Sequence, residues 1–104
     1  MNVEVHQRND KILKVTVIDE NGGALDLNGA SLVFAVDRIG IRKSLEDGIT
    51  VIDAEAGRVE IEITHADTDA PRGAYRLELL ITDTDGHRYT AATGVLTVLP
   101  SLID

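Results

Sequence analysis

Residues 58–64 read Arg-Val-Glu-Ile-Glu-Ile-Thr, and this two-residue alternation constrains the fold more than any other feature of the chain. Val59, Ile61 and Ile63 fall on one side of an extended strand, with Arg58, Glu60, Glu62 and Thr64 on the other. A helix would spread the same isoleucines around its circumference. The pattern recurs over residues 73–83, where Tyr75, Leu77, Leu79 and Ile81 alternate with Arg76, Glu78, Leu80 and Thr82. Over residues 31–38, Leu32, Phe34 and Val36 alternate with Val33, Ala35 and Asp37. Residues 11–19 set Leu13, Val15 and Val17 against Lys14, Thr16 and Ile18. Val3 and Val5 open the series and residues 95–99 close it. Residues 39–45 and 49–52 carry a weaker signal, diluted by Arg42 and Lys43, and read as short edge or connecting strands.

Turn chemistry fits between these segments. Asp19-Glu20-Asn21-Gly22-Gly23 and Asp83-Thr84-Asp85-Gly86 each join two strand candidates, because Asp and Asn bond their own backbone and Gly supplies positive φ. A single helical turn is expected near residues 65–70, with Thr64 as its cap, Asp67 three residues on, and Pro71 and Gly73 ending it. Seven to eight short strands without a long helical period predict an all-β fold, a two-sheet sandwich or a small barrel, and length and turn spacing favour an immunoglobulin-like β-sandwich. Its Cys pair and Trp are missing, which excludes an antibody-type domain; Tyr75, inward near the start of a late strand, is expected to replace the aromatic anchor.

Length and charge bound the rest. The 104 residues make one domain, 1–104, with its core at about 8–99. A compact monomer of 11.2 kDa keeps roughly 5,700 Å² exposed and needs no disulfide or metal to fold. Zero Cys excludes thiol chemistry. A net charge of −8 makes nucleic acid and anionic membrane poor partners. No apolar run approaches the ~20 residues of a membrane helix, and residues 1–8 hold no signal-peptide segment.

Chemistry-bearing residues are sparse. His6, His65 and His87 lie in separate segments and read as surface histidines. Asp83 and Asp85 are the most that spacing offers as metal ligands. Counted from Asp83, however, the fourth position is Gly86 and the twelfth Gly94, where an EF-hand needs glycine sixth and glutamate twelfth. A hairpin turn accounts for the same residues. Ser31, Ser44 and Ser101 sit in no nucleophile elbow, and no phosphate-cradling loop occurs, so no catalytic residue, cofactor or resident metal is expected. Among the aromatics, Phe34 and Tyr75 belong to the expected core, which leaves Tyr89 for a sugar ring. Candidate contact residues are Leu80 on a strand's outward face, Ile39 and Ile41 around Gly40, Tyr89, and Leu102 and Ile103 in the tail 99–104.

The order of motifs resembles a known family. A strand runs into DENGG; Leu25-Asp26-Leu27-Asn28-Gly29-Ala30 follows; then come Ala56-Gly57-Arg58-Val59-Glu60-Ile61, Thr68 ahead of Pro71-Arg72-Gly73-Ala74-Tyr75, the Asp83–Gly86 turn and Gly94-Val95-Leu96-Thr97-Val98. Over about residues 8–99 this string resembles the immunoglobulin-like N-terminal module of phage baseplate upper proteins and related tail proteins. Asn9-Asp10 stands where that family often carries Gly-Asp. On physical grounds, Leu25 and Leu27 should plug the sandwich and Gly94 should mark a bulge in the last strand.

The resemblance implies a non-catalytic phage or prophage structural protein that packs against other tail or baseplate subunits. It further implies a homo-oligomer such as a trimer, located in the virion or in the host cytoplasm before assembly. The alternative is a small sandwich that binds carbohydrate or a host surface protein; an enzyme would need clustered ionisable groups in a pocket.

Overall fold

The computed structural model describes residues 1–103 and is all-β. Its eight strands are β1 (Asn2–His6), β2 (Lys11–Thr16), β3 (Ser31–Val36), β4 (Ile41–Leu45), β5 (Gly48–Asp53), β6 (Arg58–Ile63), β7 (Gly73–Thr82) and β8 (Arg88–Leu99). They hydrogen-bond in the order β1-β8-β7-β3-β4-β5-β6-β2. Alternation decides what faces inward. On β7, Tyr75, Leu77, Leu79 and Ile81 are buried while Arg76 and Glu78 are exposed; on β6, Val59, Ile61 and Ile63 are buried. All of these side chains, with Phe34 and Leu32 of β3 and Leu96 and Val98 of β8, belong to one core cluster. A single ladder whose apolar face meets itself must fold over, and the chain does so between β4 and β5.

At that fold, β4 and β5 are parallel over only the rungs Ser44–Gly48 and Leu45–Ile49. The result is a nearly closed, barrel-like sandwich of the immunoglobulin-like type. One layer is β1-β8-β7-β3-β4 and the other β5-β6-β2. β4 and β5 are therefore connecting strands and not edges: each pairs with a full neighbour, β3 and β6 respectively, and buries one isoleucine, Ile41 or Ile49. Among the described residues, the edges are β1, which pairs only with β8, and β2, which pairs only with β6. Two open edges and an elongated body, 45 × 21 × 20 Å, leave 6504 Å² accessible, above the roughly 5,700 Å² expected from mass.

Gly94 does not mark the bulge. The register of β7 with β8 shifts where Leu79 faces Ala92 and Leu80 faces Thr90, so the extra residue is Ala91. Gly94 sits in regular register opposite Leu77, and a Cβ there would overlap the Met1 carbonyl. Its missing side chain is what lets the N-terminus lie on β8: the Met1 ammonium donates to the Thr93 carbonyl (2.8 Å) and Val95 N–H to the Met1 carbonyl (3.0 Å).

Tyr75 is inward near the start of β7, as its alternation implies, while the fully buried aromatic of the core is Phe34 on β3. The Tyr75 ring is buried, and its hydroxyl donates a short hydrogen bond to the Pro71 carbonyl four residues upstream. This is the tyrosine corner of Greek-key sandwiches. Arg38 stacks over the ring, 5.1 Å from its centroid. Just upstream, the expected helical turn is present as one hydrogen-bonded turn. Thr64 Oγ1 accepts from Asp67 N–H (3.2 Å), Asp67 Oδ2 accepts from Thr64 N–H (2.8 Å), and Thr68 N–H reaches the Thr64 carbonyl (3.2 Å). Leu27 is fully buried beneath the β2–β3 link, as a plug should be, and Leu25 half-buried.

Replacing Tyr75 by Phe keeps the ring and the Arg38 stack but strands the Pro71 carbonyl. Urea unfolding should show a loss of about 1–2 kcal/mol with an unchanged slope. A variant as stable as wild type would mean the hydroxyl does not secure the corner.

Candidate functional site

The links 17–30, 54–57 and 83–87 gather at the end of the sandwich where β2, β5 and β7 finish, tied by Val17 N–H to the Gly57 carbonyl (2.7 Å) and Leu27 N–H to the Ala54 carbonyl (2.8 Å). Two turns there are twins. Asp19 Oδ1 accepts from Asn21 N–H (2.9 Å) and Gly23 N–H (3.0 Å); Asp83 Oδ1 accepts from Asp85 N–H (2.9 Å) and His87 N–H (2.9 Å). Each closes with a glycine at positive φ, Gly22 at 84° and Gly86 at 85°.

Asp83 and Asp85, the sequence's nearest approach to metal ligands, do come together, and His87 joins them within 4.8 Å. The sequence reading kept His87 apart from this turn. The Asp83 carboxyl is held below its ordinary value, first by the N–H of His87 and then by that of Asp85, so its charge is already engaged in shaping the turn. Asp85 and His87 are exposed. The hairpin accounts for the geometry.

Beside these turns Ile18, Leu25, Tyr89 and Ala91 form the apolar part of a cleft of about 630 Å³, with Asp19, Glu20 and Thr90 on its rim. Tyr89 is 39% exposed and Ile18 59%. A larger depression of about 720 Å³ lies on the outer face of the β3-β7-β8 layer, where Asp37, Arg76, Glu78 and Thr93 project. No helix of the described residues is long and apolar enough to cross a membrane.

The opposite end is a clasp. Thr68, fully buried, donates its hydroxyl to the Asn9 carbonyl (2.8 Å), and Arg8 N–H reaches the Thr68 carbonyl (3.2 Å). Lys43 of β4 meets Asp67 at 2.7 Å, binding the two layers across that end. Asp10 Oδ1 accepts from the backbone and ring nitrogens of His65, in that order the main causes of its lowered pKa. The tail is tied down by its backbone: Ser101 N–H to Gln7 (3.2 Å) and the Ile103 carbonyl to Arg8 (3.1 Å). Leu102 is nonetheless fully exposed and Ile103 largely so. Asp104 lies outside the described residues.

The contact candidates do not form one patch. Ile41 is buried, since β4 starts with it on the inward side opposite Val36, and it is no surface residue. Ile39 is half-buried against the core. Leu80 is half-buried between Val33 and Thr90 on the outward face, away from both. Sequence reasoning passed over Ile12 and Ile52, 56% and 55% exposed. Ile12 occupies an outward position of β2, and the parity that singled out Leu80 would have found it. A trough of about 440 Å³ runs between β1 and β2, lined by residues 1–4 and 11–16. No protein-family model matches the chain, and no curated protein does.

Asp67 generates a pH dependence. Burial pushes its carboxyl up, but the Lys43 ammonium and the Thr64 backbone and hydroxyl outweigh it, and the pKa falls below the ordinary 3.8. A lowered folded value means stability that is complete above about pH 5 and drains as pH falls through it. Asp67→Asn should cost about 1 kcal/mol near neutrality. In urea titrations that gap should close towards about pH 2, and a gap constant with pH would show that the charge is not what Asp67 contributes.

Proposed function

We propose that the chain is a non-catalytic structural protein of a phage or prophage, an assembly module of tail or baseplate that works through protein–protein contacts. The observation that carries this reading is the pair of unpaired sheet edges, β1 and β2, facing one trough. An exposed edge offers a row of backbone donors and acceptors to another chain. Around it the body is braced at both ends, by the twin Asp turns at one and by the Thr68 clasp and tyrosine corner at the other. Among the described residues, the carboxyls with a shifted pKa, Asp10, Asp67 and Asp83, are all pushed down, Asp67 chiefly by Lys43 and the other two by bonds from His65 and His87; a general acid would need the opposite shift. The motif order that resembles baseplate modules supports the phage context. Its Tyr75 step falls on the tyrosine corner and its Asp83–Gly86 step on a tight hairpin.

One observation favours a second reading, a binding module for carbohydrate or a host surface protein. The Ile18–Tyr89 cleft sets an aromatic ring beside the carboxylates of Asp19 and Glu20, the pairing by which sugar rings are stacked and their hydroxyls bonded.

Antibody detection of the chain across a density gradient of induced particles separates the two. Co-sedimentation with particles that survives Tyr89→Ala is expected. Absence from every particle fraction, together with glycan-array binding lost in Tyr89→Ala, would replace the assembly reading with the second.

A further inference from the structure

We infer that the two open edges pair with each other between copies, so that this chain forms a two-fold dimer through two identical β1–β2 ladders. The inference deepens the assembly reading and rests on it, with a second copy of the chain as the partner.

The backbone shows which groups are free. Met1 accepts from Val95 and Gln7 donates to Leu99, so the odd residues of β1 point their N–H and C=O at β8. A two-residue period then aims those of Asn2 and Glu4, and the His6 N–H, at the empty side. Val17 N–H bonds the Gly57 carbonyl, so by the same period the odd residues of β2 face β6. Ile12, Lys14 and Thr16 face outward.

Direction and position also match. Following the pairings from β1 through β8, β7, β3, β4, β5 and β6, β2 runs opposite to β1. Both edges border one trough, hence one side of the molecule. A copy turned by half a revolution about an axis along the strands presents β1 to β2 and β2 to β1 together, an isologous contact.

One register satisfies every pair. Setting Glu4 opposite Lys14 puts Asn2 opposite Thr16 and His6 opposite Ile12, each pair aiming its unpaired groups at the other. On the inward side it sets Val3 opposite Val15 and Val5 opposite Leu13. Val3, Val5 and Leu13 are already buried and Val15 half-buried, so the core continues across the junction. Aligned self-pairing of either edge fails on charge, bringing Glu4 onto Glu4 or Lys14 onto Lys14. Each edge repels its own kind and complements the other.

Charge reversal tests the register. Sedimentation equilibrium and light scattering of the untagged full chain should give a dimer mass. Glu4→Lys and Lys14→Glu, each folded by circular dichroism, should each weaken dimerisation at least about tenfold, because attraction becomes repulsion in both ladders. A one-to-one mixture of the two variants restores opposite charges in both ladders and should recover the dimer.

A wild-type monomer at every concentration up to the solubility limit, a trimer mass, or a dimer indifferent to both reversals would overturn the inference. A monomer that still co-sediments with particles would overturn the dimer and leave the assembly reading standing. A charge-sensitive dimer absent from particles would uphold the dimer and remove the phage context.

Discussion

A sheet with one apolar face has to hide that face from water, and eight strands in one ladder can do so only by folding over. Here the fold falls at the two-rung link between β4 and β5, which brings Ile49 and the Val59-Ile61-Ile63 row under Phe34, Leu79 and Ile81. Burying each such side chain contributes about 1.5–3 kcal/mol, far more than any single turn or ion pair on the surface. Everything else in the molecule follows from where the ladder bends and where it stops. It stops at β1 and β2, on opposite layers, and the last gap is left open.

The two ends solve a different problem, how to reverse direction without stranding polar backbone. At one end each turn uses a single aspartate oxygen to collect two N–H groups, twice over, at Asp19 and Asp83. At the other, side chains bridge between links: Thr68 to Asn9, Lys43 to Asp67 and the Tyr75 hydroxyl to Pro71. These contacts hold β1 and β2 in place as edges, because the 7–10 link between them is bonded to the β6–β7 turn through Thr68. Bracing of the ends and openness of the side belong to one design.

Local features were legible in the sequence. Alternation placed β1, β2, β3, β6, β7 and the second half of β8, since a two-residue period is written residue by residue, while β4 and β5 showed only a weak signal; the Asp-x-x-Gly turns, the Thr64–Asp67 turn and the inward Tyr75 depend on neighbours within a few positions. Features made by distant partners were not. Gly94 looks like a bulge until Met1, nearly the whole chain away, is laid against it. Ile41 reads as exposed beside Arg42 and Lys43, yet strand parity turns it inward once β4 pairs with β3. The first half of β8 escaped notice because the extra Ala91 shifts its parity, and Thr90 and Ala92 carry no apolar signal. The candidate surface was hardest to see. That β1 and β2 lack second neighbours depends on the whole strand order.

The central claim is that β1 and β2 each hydrogen-bond on one side only. Amide hydrogen exchange read by NMR on the monomeric Lys14→Glu chain tests it residue by residue. The account predicts slow exchange at Val3, Val5, Leu13 and Val15, whose N–H groups face β8 or β6, and fast exchange at Glu4, Ile12, Lys14→Glu and Thr16. Uniform protection of both parities in that monomer would show that β1 and β2 close the barrel on themselves, and would contradict it.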